Sequence, residues 1–254
     1  MRRLDLNCDM GEGESPAELE KDLRLMEFVT SVNIACGYHA GNRQVMEVTA
    51  IAAGERGIAI GAHPSYDDRA NFGRVETKAS PKEVHRVVIS QLTELSDVCH
   101  RHGLKLNHVT PHGALYNRSA RDRETADAIA EAVHAFDRDL ILVGLSGSKS
   151  LEAGQRVGLQ VAAEAFADRT YLDDGSLTPR SDGRAMIENV EESVNQISSI
   201  VNRGIVTSIN GNTVAIAADT ICIHGDGANA VEFAGALHSL ISAQGFELAA
   251  MRRK

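Results

Sequence analysis

Five short polar clusters carry the side chains of this chain that suit acid–base chemistry or metal binding. Each follows or ends an apolar run that is typical of a buried strand. They are D-L-N-C-D-M-G-E (residues 5–12), N-I-A-C-G-Y-H-A-G (33–41), G-A-H-P (61–64), P-H-G-A-L-Y-N (111–117) and C-I-H-G-D-G (222–227). Because parallel strands bring their carboxyl ends to one mouth, residues distant in sequence can share a site there. The clusters therefore indicate an enzyme.

The first cluster crowds acidic groups at the end of the first predicted strand. Alternation along a strand puts Asp5, Asn7 and Asp9 on one face, which we expect to point into a barrel. Buried carboxylates are unfavourable unless they are paired or metal-bound. A carboxylate that merely fixes the loop is the structural alternative. We favour catalysis, with Asp9 as general base or as a ligand that orients water, and Glu12 as a second catalytic carboxylate.

Four histidines each follow or end a separate predicted strand, namely His39, His63, His112 and His224. Neutral imidazole is a common general base and a common metal ligand. Together with Asp9, these residues are suited to a Zn²⁺ or Mn²⁺ site, although ligands on different strands leave no diagnostic spacing. The prediction is that Asp9, His39, His63 and His112 hold any divalent metal, and that these three histidines also serve catalysis.

Two of the four cysteines allow an alternative chemistry. Cys36 and Cys222 lie near His39 and His224 in sequence, so a cysteine nucleophile with a histidine base is conceivable. Small buried thiols at strand ends are commoner, and packing is the preferred interpretation. No C-x-x-C pair and no signal peptide are present, so we expect free thiols and a cytoplasmic protein.

Composition excludes several functional classes. The 254 residues carry a formal net charge of -9, which disfavours binding to nucleic acid or to an anionic membrane. Aromatic residues make up 4% and Trp is absent, so stacking on bases or sugars is not expected on a large scale. No apolar run approaches membrane-spanning length.

Short apolar runs predict buried parallel strands at residues 4–8, 32–36, 58–62, 106–109, 140–143, 159–163 and 220–224. Helical patterns follow most of these runs, which is typical of repeated βα units. Ser15 and Ser80 each precede a Pro and, three residues later, a Glu, the signature of a capping box that begins a helix. No linker divides the chain, so we expect one α/β domain, a (β/α) barrel spanning residues 1–254.

Two segments depart from this alternation. Asn210-Gly211, within residues 205–216, predicts a two-residue β-hairpin turn that decorates the barrel. Residues 166–184 are polar and predict a long loop. Arginines in this loop and near residue 70 could hold a carboxylate or a phosphate, or could simply be solvated. No phosphate-binding G-x-x-x-x-G-K-[ST] loop is present, so any ATP site is non-standard or shared with a partner.

The sequence resembles the LamB/YcsF family over nearly its whole length. Besides the five clusters, the shared motifs are F-G-R (72–74), F-A-D-R (166–169) and L-x-P-R (177–180). The resemblance implies a distorted TIM-like barrel that is related to glycoside hydrolase and deacetylase barrels. Thr110 stands where the family commonly has Lys before P-H-G.

The resemblance also implies an activity, namely ATP-dependent opening of 5-oxo-L-proline to L-glutamate by a 5-oxoprolinase that includes two further subunits, B and C. ATP would be hydrolysed to ADP and phosphate at a site shared with these partners, and identical chains could also associate. The residues expected to bind substrate or phosphate are Asn7, Asn33, Arg74, Arg169, Arg180, His224 and Asp226.

Two other functions stay open at this point. The barrel resemblance allows a metal-dependent deacetylase or amidohydrolase that acts alone and without ATP. A non-catalytic subunit that binds a lactam or a carbohydrate is the second alternative.

Overall fold

A closed barrel of parallel strands forms the centre of the computed structural model, which describes residues 2–225 and 229–253. The strands are β1 (Arg3–Met10), β2 (Ser31–Ala35), β3 (Ala59–His63), β4 (Leu106–Val109), β5 (Ile141–Leu145), β6 (Gln160–Phe166), β7 (Ile205–Thr207), β8 (Thr213–Ala215), β9 (Thr220–Ile223) and β10 (Glu247–Leu248). Parallel pairing runs in the order β1-β2-β3-β4-β5-β6-β9, and β9 pairs with β1 to close the barrel. Each predicted buried strand lies in it, which confirms the barrel.

Helices surround the barrel and follow most of its strands. They are α1 (Pro16–Leu25), α2 (Arg43–Glu55), α3 (Pro81–Arg101), α4 (Gly113–Arg121), α5 (Arg123–Phe136), α6 (Lys149–Arg156), α7 (Val190–Arg203) and α8 (Ala230–Ala243). Both predicted capping boxes are present, at Ser15 before α1 and at Ser80 before α3. Among the described helices, none is both long and apolar enough to cross a membrane.

The strands β7 and β8 form the predicted hairpin, but the predicted two-residue turn is wrong. Five residues, 208–212, separate the paired Thr207 and Thr213. The Ser208 hydroxyl accepts hydrogen bonds from the backbone N–H groups of Asn210 and Asn212, at 3.3 and 3.2 Å. A side chain therefore organises this turn, with Gly211 in the left-handed region at φ 85°.

The segment between β6 and α7 is the long loop that the sequence predicts. Its backbone pairs with itself through isolated bridges, between Arg169 and Met186 and between Tyr171 and Leu177. The Tyr171 hydroxyl accepts a hydrogen bond from the Phe166 backbone N–H at 2.8 Å. The loop is thus fixed to the end of β6, over the barrel mouth.

Alternation along β1 points the polar residues into the barrel, as the sequence predicts. Asp5, Asn7 and Asp9 are all buried, and Leu6 and Cys8 join the apolar core. The hydroxyls of Ser31 and Thr220 donate to the Asp5 carboxylate at 2.7 and 2.5 Å. Asp5 therefore ties three strands together deep in the barrel, which is the structural role weighed for this cluster.

The close approach of the His108 ring inside the barrel requires a glycine at position 61 of β3. A Cβ at this position would lie 2.1 Å from the Nε2 atom of His108, which β4 points inward. His108 is completely buried, so its ring has no room to move aside. A glycine on one strand thus makes room for an imidazole on the next.

We predict that Gly61→Ala destabilises the protein by about 1–3 kcal/mol, because the added methyl group overpacks the barrel against His108. The measurement is the midpoint and slope of urea unfolding. Gly183→Ala is the matched control, since a Cβ there meets nothing within 4 Å, and its effect should stay within about 0.5 kcal/mol. Equal stability of the two variants would contradict the close packing described here.

Candidate active site

A cavity of about 640 Å³ opens where the barrel strands end. Its wall includes many of the residues predicted from the sequence, namely Asp9, His63, Arg74, His112, Arg169, Arg180 and His224. Asp226, predicted to bind substrate or phosphate, lies outside the described residues. The strand ends therefore bring together side chains that are far apart in the sequence, as expected for this fold.

Three histidines form a tight group beside this cavity. The rings of His39 and His112 stack at a centroid distance of 3.8 Å, and His63 meets both edge-on. Glu12 completes the group, with Oε1 at 3.2 Å from His39 Nε2 and 3.6 Å from His112 Nδ1. One ligand atom from each of the four residues lies within 4.8 Å of the others.

The outer nitrogen of each imidazole donates a hydrogen bond away from the group. His63 Nδ1 lies 2.7 Å from the Thr110 carbonyl oxygen, and His112 Nε2 lies 2.9 Å from the Phe72 carbonyl oxygen. Carbonyl oxygens accept, so both outer nitrogens carry protons. His39 Nδ1 lies 2.9 Å from the Ser65 hydroxyl, which donates to the Tyr66 carbonyl and accepts from His39.

The inner nitrogens of neutral rings therefore carry lone pairs that face one another. His63 Nε2 and His112 Nδ1 are 2.9 Å apart, and His39 Nε2 faces the Glu12 carboxylate. Such an arrangement requires a cation, either a proton or a metal ion. Ligating histidines usually donate their other N–H to a carbonyl or carboxylate, which is the pattern seen here.

The donor set of Glu12, His39, His63 and His112 thus fits a divalent transition-metal ion. Three imidazoles and one carboxylate are common zinc ligands. The sequence predicts Asp9 in place of Glu12 in this set, together with the same histidines. The structure instead puts Glu12 among the grouped donor atoms and Asp9 next to them, 3.4 Å from His63 Nε2.

Asp9 and His63 form a buried pair of opposite charge. Burial disfavours the charged carboxylate, but the charge of His63 outweighs burial and holds the pKa of Asp9 well below its usual range. Burial also lowers the pKa of His63, yet Asp9 more than offsets it and raises that pKa to about 9. Asp9 is therefore an ionised carboxylate in the cavity wall.

A chain of hydrogen bonds runs beneath the cavity from Asp9 to a second carboxyl group. Asn33 Nδ2 donates to Asp9 at 2.9 Å and to Asn7 Oδ1 at 2.8 Å. Asn7 Nδ2 then donates to Glu164 Oε1 at 3.1 Å. The sequence predicts that Asn7 and Asn33 bind substrate or phosphate. In the structure, their side-chain amides form hydrogen bonds with other protein side chains.

Three residues of this site are missing from the sequence-based candidates: His108, Glu164 and Asp168. Glu164 is a lone acid within the apolar strand β6, and His108 is a lone histidine within β4. A charged or titratable residue inside an otherwise buried strand is the signal that could identify both. Asp168 precedes the Arg of F-A-D-R, and only its contact with His224 reveals its role.

His224 pairs with Asp168 at the end of β9, the strand that pairs with β1. Its Nδ1 lies 2.9 Å from a carboxylate oxygen of Asp168. Burial lowers the pKa of His224, but the Asp168 carboxylate outweighs that effect and raises the pKa above its ordinary value. The pair presents an imidazole that a neighbouring carboxylate orients and can hold protonated.

The predicted arginines surround the same opening. Arg169 is buried and donates through Nη2 to the Thr178 carbonyl at 2.6 Å, so it braces the long loop. Burial, with Arg180 nearby, lowers the pKa of Arg169 to about 10. The Arg74 guanidinium lies over the Phe72 ring, 4.7 Å from its centroid. Positive charge therefore lies in the wall of the cavity.

The cysteines fit the packing interpretation. Cys36 and Cys222 are both buried, and burial raises the pKa of the Cys36 thiol to about 12. Burial also raises the pKa of Cys222 well above its usual value. A thiol that resists ionisation is a poor nucleophile.

Bacterial 5-oxoprolinase A subunits are similar to this chain over nearly its full length. The 5-oxoprolinase A subunit of Bacillus subtilis (strain 168) is 47% identical over 251 residues, covering 99% of this chain and 98% of that protein. The 5-oxoprolinase A subunit of Tolumonas auensis is 46% identical and covers 99% of this chain and 100% of that protein.

Solved structures agree with the barrel. The lactam utilization protein from Thermus thermophilus superposes with a TM-score of 0.90 at 41% identity, covering 98% of this chain and 100% of that one. The catalytic domain of a peptidoglycan N-acetylglucosamine deacetylase from Eubacterium rectale shares the fold, with a TM-score of 0.51 at 10% identity over 99% of this chain and 89% of that one. The LamB/YcsF family pattern matches residues 4–254, and the chain belongs to that family.

Proposed function

We propose that this chain is the A subunit of an ATP-dependent 5-oxoprolinase and that it carries the centre at which the lactam ring is opened. The observation that carries the proposal is the barrel mouth, where an ionised Asp9, a histidine group and a cluster of arginines surround one cavity. The relatives that bear the 5-oxoprolinase name support the reaction and its division among subunits. The substrate class is a five-membered cyclic amide that bears a carboxylate.

Opening the lactam requires a water molecule to attack the ring carbonyl carbon. Asp9 is ionised and lies in the cavity wall, so it can accept the proton that the attacking water loses. His63 beside it, and Asn33 beneath it, fix the carboxylate in one orientation. Arg74, Arg169 and Arg180 are the predicted contacts for the substrate carboxylate or for phosphate.

Glu12, His39, His63 and His112 are the residues that would hold a divalent metal ion in this site. When bound, such an ion supplies Lewis-acid chemistry that polarises a carbonyl oxygen. The hydrogen bonds from the three outer ring nitrogens hold the imidazoles in position for that role.

ATP enters this proposal through the complex with subunits B and C. The cavity is larger than a single five-membered ring, which leaves room for a phosphoryl group beside the lactam. Phosphorylation of the lactam oxygen would make the ring carbon a better electrophile for water. A metal-dependent amidohydrolase that needs no ATP is the second candidate, and the histidine group is the observation that favours it.

We predict that Asp9→Asn lowers the turnover of 5-oxoproline by about a hundredfold to ten-thousandfold in the complete complex, because the amide cannot accept the proton from water. Glutamate release is the measurement, and circular dichroism shows whether the variant folds. Asp97→Asn is the control, since Asp97 is exposed on α3. Near-normal turnover by folded Asp9→Asn would rule out its role as general base.

A second prediction concerns the metal. The purified chain should bind about one equivalent of Zn²⁺ or Mn²⁺, and His39→Ala with His112→Ala should abolish that binding by removing two of the ligands. Isothermal titration with each ion is the measurement, with His85→Ala on α3 as the control. Binding that survives in the double variant would mean that the ion sits elsewhere.

The third prediction separates the two candidate functions. The chain alone should release little or no glutamate from 5-oxoproline and ATP, because it has no recognised phosphate-binding loop and phosphoryl transfer depends on positioned positive charge. Adding subunits B and C should restore the reaction with release of ADP. Opening of the ring by the single chain without ATP would instead support the amidohydrolase.

A further inference from the structure

Four polar side-chain atoms in the cavity wall make no hydrogen bond of normal geometry among the described residues, although Tyr116 and Glu164 interact with each other. They are Thr110 Oγ1, Tyr116 Oη, Ser148 Oγ and Glu164 Oε2. Each belongs to a buried side chain, with exposed fractions between 0% for Glu164 and 5% for Tyr116 and Ser148. Buried polar groups are almost always paired, so a cluster of unpaired ones in a cavity wall marks the place of a polar ligand.

Glu164 is the one ionisable carboxyl group in this cluster, and the barrel holds it in a fixed position. It lies on β6, opposite Thr220 of β9, and its Oε1 accepts from Asn7 Nδ2 at 3.1 Å. The other oxygen, Oε2, makes no hydrogen bond of normal geometry, and the Tyr116 hydroxyl interacts with this carboxyl group in the cavity wall. One half of the carboxyl group is thus anchored, and the other half lies with Tyr116 in the wall of the cavity.

Glu164 and Asp9 occupy different parts of the same cavity wall. Asp9 is on β1 beside the histidine group, and the hydrogen bonds that link it to Glu164 run through the two amides of Asn33 and Asn7. A cyclic amide in the cavity can therefore place its carbonyl carbon next to Asp9 and its ring nitrogen next to Glu164. Such a pair of separated carboxyl groups is the usual arrangement for an acid and a base.

We propose that Glu164 is a catalytic residue of the reaction, the proton donor to the ring nitrogen of the lactam, with the Tyr116 hydroxyl beside it in the nitrogen subsite. This assignment rests on the proposed lactam-opening function and adds a residue to it. Thr110 and Ser148 supply further hydroxyls for the polar atoms of the ring and its substituents.

The proposed step balances as follows. The water oxygen forms the new bond to the ring carbonyl carbon, and the proton it loses passes to Asp9. The ring C–N bond breaks, its electron pair remains on nitrogen, and that nitrogen takes the proton from Glu164 Oε2. Glu164 is left as a carboxylate, and water exchanging through the open cavity returns the proton from Asp9 to Glu164. When the lactam oxygen carries the phosphoryl group from ATP, cleavage of the C–N bond leaves an acyl phosphate, and a second water hydrolyses it to the carboxylate and inorganic phosphate.

The surroundings of Glu164 keep a substantial fraction of this carboxyl group protonated near neutral pH. Burial is the largest influence and raises the pKa of Glu164 to about 7, with the Asp9 charge adding to it. Tyr116, Asn7 and His63 act in the opposite direction. Tyr171 and Cys222 also face this carboxyl group, and burial keeps both of them uncharged at neutral pH.

The test uses the reconstituted complex and two substrates, 5-oxoproline and its thiolactone analogue, in which sulfur replaces the ring N–H. A thiolate leaves without a proton, whereas an amine does not. Glu164→Gln should therefore slow lactam opening by about a hundredfold or more and thiolactone opening by less than about tenfold. Glutamine keeps an oxygen that can accept from Asn7, so the fold should survive.

Two further measurements accompany that comparison. The rate of wild-type lactam opening should decline as pH rises through about 7, because Glu164 loses its proton. The rate of thiolactone opening should show no such decline. Tyr116→Phe should lower the lactam rate more than the thiolactone rate, and it remains informative if Glu164→Gln does not fold. Glu188→Gln, an exposed position before α7, is the control that should change neither rate.

Different outcomes test the proton-donor role of Glu164 and the proposed lactam-opening function. A complex that opens 5-oxoproline equally well with and without the Glu164 carboxyl group overturns the proton-donor role and leaves the proposed function standing. Equal slowing of both substrates reduces Glu164 to a structural residue and also overturns it. A wild-type complex that opens neither substrate overturns the proposed function, and this assignment with it.

Discussion

The interior of the barrel depends on one hydrogen-bonded amide, that of Asn33. Its Nδ2 donates to both Asn7 and Asp9, and its Oδ1 accepts from His108 Nε2 at 2.8 Å. The amide nitrogen donates twice and the amide oxygen accepts once. Exchanging the two atoms would break all three hydrogen bonds, so the amide has one orientation. Because these groups are buried, a hydrogen bond within the protein offsets the cost of removing each of them from water.

This network lets two carboxyl groups of one cavity adopt opposite protonation states. Asp9 has an imidazole beside it, and the charge of that ring holds the pKa of the carboxyl group low. Glu164 meets amide and hydroxyl groups, which cannot offset burial, and its pKa rises to about 7. The difference comes from which side chain faces each group across the barrel interior, since β3 supplies His63 to Asp9, whereas β1 supplies the neutral amide of Asn7 to Glu164.

The sequence predicts the local features of this molecule well, because their causes are local. Capping boxes, the period of two along β1 and the run of βα units each depend on residues a few positions apart. The site partners depend on contacts between distant strands, such as Glu164 with Asn7 and His108 with Asn33. Periodicity carries no information on such pairs, so Glu164 and His108 were not predicted, and Glu12 was predicted as a catalytic carboxylate rather than as a member of the group that could hold a metal ion.

The two sides of the barrel mouth differ in how completely their polar groups are hydrogen-bonded. The histidine group is braced by carbonyl and hydroxyl oxygens of Thr110, Phe72 and Ser65, and every outer nitrogen is paired. Unpaired buried polar groups cost about 1–3 kcal/mol each, and a ligand that completes their hydrogen bonds recovers that cost. Rigid strands on both sides keep the wall around Glu164 from collapsing to pair its own groups. The closed barrel therefore preserves an unfilled set of hydrogen bonds that a polar substrate can complete.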